Sequence, residues 1–128
     1  MRYMLLIYED ETLWERMSEQ EKGAIFQEVG EYVGGLRKSG VCQAGAPLQP
    51  TNTATTVRMK NGKTLITDGP FAETKEQLAG YNIVEAQNLD EAISIAARHP
   101  GVLVGRHAIE VRPIKERLDA SRTEDARA

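Results

Sequence analysis

An Asn-Gly pair at residues 61 and 62 restricts the fold of this chain more than any other feature. It joins two segments rich in strand-favouring residues, 53–60 and 63–68. Asn-Gly is the preferred pair for a two-residue type I′ turn, because both central residues of that turn need a positive φ. The sequence therefore predicts an antiparallel hairpin, in which Val57 faces Ile66 and Asp68 lies on the more apolar face.

Four further strands are predicted around this hairpin. Residues 3–8 (YMLLIY) form a continuous apolar run, which is typical of a central strand covered on both faces. Residues 41–49 are an irregular candidate rich in small residues, and residues 78–86 are predicted as another strand. The last strand, His107–Pro113, alternates, so that His107 lies on the side that faces the core or a dimer interface.

Two helices are predicted between the strands. A capping box formed by Ser18 and Glu21 opens the first helix, which ends near Gly40. Each glycine inside a helix costs about 1 kcal/mol relative to alanine, so we expect the glycines to allow close packing on a sheet. Four such glycines interrupt this helix: Gly23, Gly30, Gly34 and Gly35. The second helix begins after Asn88 and stops at His99, because Pro100 follows.

The order strand, helix, hairpin, strand, helix, strand predicts an α+β domain with ferredoxin-like βαββαβ topology. This domain spans residues 1–114, and the charged tail, residues 115–128, is predicted to be disordered. Two helices cover only one face of such a sheet. Because a large exposed apolar face usually marks an interface, we expect the protein to be a homodimer.

Composition excludes several classes of function. The net charge of −3 and the absence of a basic cluster argue against nucleic-acid and membrane partners. A single cysteine, Cys42, cannot form an internal disulfide, which indicates a reducing, cytoplasmic location. The sequence contains no dinucleotide fingerprint and no Cys/His metal spacing, so we expect neither cofactor nor metal.

Three isolated residues receive structural interpretations. Cys42 has no base beside it and suits a small filler position in a strand. His99 is interpreted as a solvent-exposed residue or as a cation that complements the end of a helix. His107 is interpreted as a hydrogen-bonded structural histidine.

Residues 67–80 (TDGPFAETKEQLAG) are the strongest candidate for a functional segment. Asp68 and the Gly-Pro pair after it suit a turn, and Phe71 suits a position in the core. A turn, however, does not need the charged residues that follow, which include Glu73 and Lys75. An architectural role and a functional site therefore both stay open.

The string DGPFAETKEQLAGY resembles the signature of the DGPF proteins, a branch of the YCII-related family. The resemblance extends to RYMLLIY at the start, to TATTVRMKNGKTLITDGPF across the hairpin and to IEVRPI near the end, so that it covers residues 1–114. It implies a dimeric ferredoxin-like α+β barrel, in which two sheets face each other.

The same resemblance implies possible functions. Many members resemble partners encoded beside alternative sigma factors of the extracytoplasmic type. More distant relatives include lactone isomerases and a dehydrochlorinase that acts on aromatic rings. YCII proteins proper are thought to use a His–Asp pair in a cleft. Asp68 matches the signature acid, but no histidine precedes residue 99, so the histidine of that pair is not identified.

Two alternative functions follow. In the first, the protein is an enzyme for a small organic acid or lactone, with a desolvated Asp68 as general acid or base and Arg58 or Lys75 holding an anionic substrate. In the second, it is a non-enzymatic module that binds a metabolite or a sigma factor. The candidate site comprises Asp68 as the catalytic residue and Tyr8, Arg58, Phe71, Glu73, Lys75 and Tyr81 as binding residues.

Overall fold

The computed structural model describes residues 1–116, so most of the tail predicted to be disordered lies outside the described residues. Within this range no helix is long and apolar enough to cross a bilayer. In chain order the elements are β1 (Arg2–Glu9), α1 (Glu11–Glu15), α2 (Glu19–Lys38), β2 (Cys42–Pro47), a 3-10 turn (Thr51–Thr53), β3 (Thr55–Lys60), β4 (Lys63–Asp68), β5 (Gln77–Glu85), α3 (Leu89–Ala97), α4 (Pro100–Leu103) and β6 (His107–Pro113).

Four strands form the main sheet in the order β2-β5-β1-β6, and all neighbouring strands are antiparallel. Helix α2 connects β1 to β2, and α3 lies between β5 and β6. This is the ferredoxin-like βαββαβ arrangement, and it confirms the predicted fold class.

The hairpin β3–β4 forms a separate two-stranded sheet. Its predicted register is confirmed, since Val57 lies opposite Ile66 and Thr55 lies opposite Asp68. Asn61 and Gly62 have φ values of 52° and 76°, as a type I′ turn requires. One part of the predicted order is corrected: the middle strands of the βαββαβ unit are β2 and β5, and the hairpin is inserted between them.

The central strand β1 has two different faces. Tyr3, Leu5 and Ile7 are buried on the side that carries the helices, whereas the alternate residues are half-buried on the opposite side, which we call the open face. The central position of β1 agrees with the prediction. The predicted cover on both faces is wrong for the single chain, because α2 and α3 lie on one side only.

The hydrophobic core lies between α3 and the main sheet. Leu5 and Val84 are almost fully buried there against the small face of α3, which is formed by Ala92, Ile95 and Ala96. Burial of a large apolar side chain contributes roughly 1.5–3 kcal/mol. The core therefore fixes β1, β5 and α3 relative to one another.

Helix α2 is held less tightly than the sequence predicts. The capping box of Ser18 and Glu21 is present, but no residue of α2 is fully buried. A Cβ added at any of its four glycines would meet no atom within 4 Å, apart from the backbone of the helix itself and the adjacent residues. The expectation that these glycines permit close packing is therefore wrong. Instead, the part of α2 from Ile25 to Arg37 covers a cavity.

Candidate active site

A cavity of about 580 Å³ lies between α2 and the helix-bearing side of the main sheet. We call it the α2 cavity. Ile7 forms its floor, and Ile25, Val29 and Val33 of α2 form much of its roof. Trp14 of α1 closes one end and makes an edge-to-face contact with the ring of Phe26, with centroids 5.3 Å apart. The walls are therefore largely apolar, as in most small-molecule sites.

An acid–imidazole pair lies in the wall of the α2 cavity. Glu9 ends β1 and His107 begins β6, and the two residues are directly opposite in the antiparallel register. Glu9 Oε1 and His107 Nε2 are 3.1 Å apart, and the two side chains are 16% and 7% exposed. With Glu9 ionised, the His107 Nε2–H donates to the carboxylate. This pair places a proton acceptor beside an apolar pocket.

His99 lies next to this pair and is 1% exposed. Its Nδ1 accepts a hydrogen bond from the Gly101 backbone N–H at 3.0 Å, which caps the N-terminus of α4. Desolvation, together with the nearby His107 and Arg106, lowers the pKa of His99 to about 4. His99 is therefore neutral at pH 7. The expectation of an exposed residue or a helix-end cation is wrong, because His99 is buried against the rings of Tyr32 and His107 and caps the start of α4.

Gly101 holds both imidazoles in place. A Cβ at this position would lie 1.8 Å from Nδ1 of His107, so no larger residue fits unless the ring moves. The rings of His99 and His107 meet edge to face, with centroids 5.3 Å apart. Tyr32 of α2 makes a similar contact with His99, and its hydroxyl donates to the carbonyl of Ile95. Burial raises the pKa of Tyr32 to about 12, so this hydroxyl keeps its proton.

A second carboxylate fastens the rim of the cavity. The Glu11 oxygens accept hydrogen bonds from the backbone N–H and the hydroxyl of Thr51, at 2.8 and 2.6 Å. The side-chain oxygen of Gln77 accepts the backbone N–H of Glu11 at 3.0 Å. Because its oxygens already accept these hydrogen bonds, Glu11 ties the 3-10 turn to the start of α1 and is not a free base.

The acid predicted from the sequence lies elsewhere. Asp68 is exposed at the end of the hairpin and does not line the α2 cavity. The argument that desolvation prepares Asp68 for catalysis therefore has no basis in the single chain. A catalytic role for Asp68 stays a prediction, and it requires a second molecule to cover the hairpin.

The predicted binding residues fall into three groups. Tyr8 and Tyr81 share the open face, because Tyr81 pairs with Leu6 and Tyr8 follows Leu6 by two residues on β1. Tyr81 also contributes to the cavity wall. The Arg58 guanidinium lies 4.6 Å from the centroid of the exposed Phe71 ring, on the hairpin side. Glu73 and Lys75 are exposed in the segment before β5. Of these six residues, only Tyr81 contributes to the α2 cavity.

Sequence reasoning missed Glu9 although a signal was present. Tyr3, Leu5 and Ile7 form one face of β1, and Glu9 continues that face with a carboxylate. An acid on the core face of a central strand is unusual, because burial of an unpaired charge is costly. His107 was correctly placed on the side of Ile109 and Val111, and it is the partner of Glu9.

Three comparisons place the chain among known proteins. Residues 1–117 match the family described as the YCII-related domain. An uncharacterized protein of Rhizobium meliloti (strain 1021) is 34% identical over 114 residues, which are 89% of this chain and 92% of that protein. A solved structure of 5-chloro-2-hydroxyhydroquinone dehydrochlorinase (TftG) from Burkholderia phenoliruptrix AC1100, in complex with 2,5-dihydroxybenzoquinone, matches with a TM-score of 0.53 and 19% identity over 91% of this chain and 95% of that chain. At this identity the match shows a shared fold.

Proposed function

The chain belongs to the YCII-related family, and we propose that it binds a small organic molecule in the α2 cavity and moves a proton on it. The observation that carries this proposal is the Glu9–His107 pair, 3.1 Å apart in the wall of a largely apolar cavity. A volume of about 580 Å³ lies within the usual range for small-molecule sites. Dehydrochlorination of a hydroxylated ring, named for the structural relative, supports this class of ligand.

In this proposal Glu9 is the general base. Its carboxylate accepts a proton from the ligand, and His107 donates Nε2–H to the same carboxylate and fixes its orientation. Both residues belong to paired strands, so the geometry is set by the main sheet. A lactone, a small organic acid or a hydroxylated quinone satisfies the size and polarity of the cavity.

Trp14 provides a direct test of binding, because it is the single tryptophan and lines the cavity. Titration with 2,5-dihydroxybenzoquinone and with small lactones is expected to change its fluorescence. Proton transfer is then measured as exchange of ligand protons for deuterium by NMR. Glu9→Gln is expected to slow exchange by about 100-fold or more and to leave binding within a few-fold, because general bases contribute about 10²–10⁴.

Glu110→Gln is the matched control. Glu110 lies on β6, the strand that carries His107, but its side chain is on the open face and accepts a hydrogen bond from Arg112 at 2.9 Å. Its replacement is expected to leave exchange unchanged. A Glu9→Gln protein with the wild-type exchange rate contradicts the proposed base. Ligand binding with no exchange in the wild type supports instead the non-enzymatic binding alternative.

We also propose that the protein forms a homodimer through the open face and the hairpin. The open face carries half-buried apolar residues of β1 and β5, and the hairpin exposes Val57, Met59 and Ile66 by 63%, 69% and 65%. Exposed apolar area of this kind marks interaction surfaces. Sedimentation velocity tests it, and a monomer at all concentrations contradicts it. Asp68→Asn in the exchange assay then tests the predicted role of that acid within the dimer.

Association with a sigma factor stays a prediction from the family resemblance alone. Its test is affinity purification of the wild type at native expression, compared with a variant altered at Glu73 and Lys75. Recovery of a sigma factor with the wild type and its loss with the variant supports the prediction, and recovery with neither contradicts it.

A further inference from the structure

We infer that Asn82 and Arg37 hold a carboxylate at one end of the α2 cavity, and that the ligand is an elongated organic acid. This inference rests on the proposed function of the α2 cavity and narrows its substrate class. It begins from a buried amide in the cavity wall, the nitrogen of which has no hydrogen-bond partner among residues 1–116.

The Asn82 side chain is held against the edge strand β2. Asn82 lies between Gly80 and Val84 on the helix-bearing side of β5 and is 6% exposed. Its Oδ1 is 3.9 Å from Cys42 Sγ and 2.3 Å from the position that a Cβ of Gly45 would take. The amide oxygen therefore occupies the space that the missing side chain of Gly45 leaves. The amide nitrogen, Nδ2, is the end that remains for another partner.

This amide nitrogen is accessible from the cavity. Three side-chain polar atoms of residues 1–116 are sealed from solvent without a partner, namely His99 Nε2, Arg106 Nε and His107 Nδ1. Asn82 Nδ2 is not one of them, so it keeps accessible surface although the side chain is more than nine-tenths buried. The space that Asn82 lines is the α2 cavity. Because an unpaired buried amide is costly, an acceptor on the ligand would stabilise this arrangement.

Arg37 supplies a positive charge at the same end of the cavity. Its Nη2 donates to the carbonyl of Gly45 at 3.5 Å, and Gly45 is the residue against which the Asn82 amide packs. Among the described residues that line the cavity, Arg37 is the only lysine or arginine, and it forms no ion pair within residues 1–116. A guanidinium has five N–H donors, so most of them remain for a ligand. A guanidinium and an amide N–H together suit a carboxylate.

The acids of the cavity lie at its other end. The three carboxylates in its wall all belong to residues 9–15, the segment that contains Trp14. Trp14 packs on Phe26, and Arg37 lies eleven residues further along α2, which is roughly 16 Å. The cavity is therefore negative beside Glu9 and positive beside Arg37. An anionic ligand is oriented by this difference, with its carboxylate away from the proposed base.

The strand register sets the length of the ligand. Asn82 lies opposite Leu5, and Glu9 follows Leu5 by four residues on β1, a distance of roughly 13 Å along the strand. A ligand with its carboxylate at Asn82 and Arg37 extends over Ile7 and brings its other end to Glu9. A compact lactone or quinone does not span this distance. The ligand class is therefore an organic acid with an extended apolar body.

The probes are 4-phenylbutyrate and 4-phenylbutyramide, which have the same shape and differ in charge, and Trp14 fluorescence at pH 8 reports the binding of each. Arg37→Gln is expected to weaken binding of the acid by about fivefold and to leave the amide within about twofold, because the ion pair at the exposed rim is partly solvated. Lys38→Gln is the matched control. It removes the same charge from the next position of α2, but Lys38 is exposed and does not line the cavity, so both affinities should stay unchanged.

Asn82→Asp tests the amide donor. This change keeps the shape of the side chain and replaces the N–H donor with a carboxylate oxygen. It is expected to weaken binding of the acid by about tenfold or more and to reverse the preference, because the amide probe can donate to the new carboxylate. Urea denaturation shows whether this buried variant folds. Arg37→Gln changes an exposed residue and tests the site independently.

Each other outcome has one meaning. Equal affinity of the wild type for the two probes overturns the carboxylate site, as does an equal effect of Arg37→Gln and Lys38→Gln on the acid. A folded Asn82→Asp protein with the wild-type preference overturns the role of Asn82. A wild type that binds the quinone or a lactone but neither probe overturns the ligand class and leaves the proposed function intact. A wild type that binds neither probe, nor any ligand of the earlier Trp14 titration, overturns the proposed function itself.

Discussion

The α2 cavity and the β3–β4 hairpin hold their polar groups in opposite ways. In the cavity, Glu9, His107 and His99 are nearly buried and are fixed by cross-strand register and a helix cap. On the hairpin, Asp68 and the apolar side chains around it are exposed to solvent. The hairpin has the clearer sequence pattern, but the cavity has the buried polar groups, and burial lowers the pKa of His99 among them. A conspicuous motif and a chemically prepared site are thus different regions of this chain.

The largest change in the free energy of unfolding is expected for a substitution at Gly101. Gly101→Ala places a methyl group 1.8 Å from His107 Nδ1, so the ring must leave its position beside Glu9. Overpacking of this kind should lower the free energy of unfolding by about 3 kcal/mol. Urea denaturation measures this, with Gly34→Ala as control because the added methyl meets no neighbour. An equal stability of Gly101→Ala and wild type would show that the imidazoles are not confined.

A pH dependence of stability is expected from His99. Its pKa falls from 6.5 to about 4 on folding, so between these values the unfolded chain binds more protons than the folded chain. The contribution of the neutral His99 to the free energy of unfolding is present above pH 6.5 and decreases as the pH falls towards 4. The loss between pH 7 and pH 5 should be about 2 kcal/mol.

The control for this titration is His99→Asn, which keeps the cap and removes the imidazole. Urea denaturation at pH 7 and pH 5 gives the difference in free energy of unfolding for each protein. Carboxylates titrate in both proteins, so the comparison isolates His99. The same pH dependence in both would contradict the burial of a neutral imidazole.

The loosely packed helix α2 gives a smaller effect of the opposite sign. Gly34 has helical backbone geometry and open space at its Cβ position. Gly34→Ala should therefore raise the free energy of unfolding by about 0.5–1 kcal/mol. Thermal unfolding measures the increase. A decrease would show that another molecule packs against this glycine in solution.

The smallest effect on the chain itself is expected on the hairpin. Ile66→Ser removes an exposed side chain and should change the free energy of unfolding of the monomer by less than about 0.5 kcal/mol. In the proposed dimer, the same change should raise the dissociation constant measured by sedimentation. Leu5→Ala is the contrasting core variant. A large loss of monomer stability in Ile66→Ser would remove the distinction between the two regions.

Sequence patterns predicted the local structure well where a short segment determines it. The type I′ turn at Asn61-Gly62 fixes the hairpin register, and the capping box at Ser18 fixes the start of α2. His99 was misinterpreted because Pro100 looked like the end of a helix, whereas it also begins α4. Burial of His99 depends on Tyr32 and His107, which are distant in sequence. Local patterns do not contain that information.

The candidate site was partly accessible from the sequence. Alternation places Glu9 on the core face of β1 and His107 on the core face of β6, and the ferredoxin-like strand order makes these strands neighbours. The alternation and the strand order together would have predicted that Glu9 and His107 are neighbours. The volume above the pair was not accessible, because it arises from the way α2 stands away from the sheet.

The location of Glu9 inside a strand has a consequence for how this protein diversifies. The rim of the cavity is made of connecting segments, such as the turn that Glu11 ties to Thr51. Insertions and substitutions in such loops are tolerated more readily than changes in paired strands. Changes in the rim can therefore alter which ligand shapes the cavity accepts. The pairing of β1 with β6 meanwhile holds the Glu9 carboxylate in the same position.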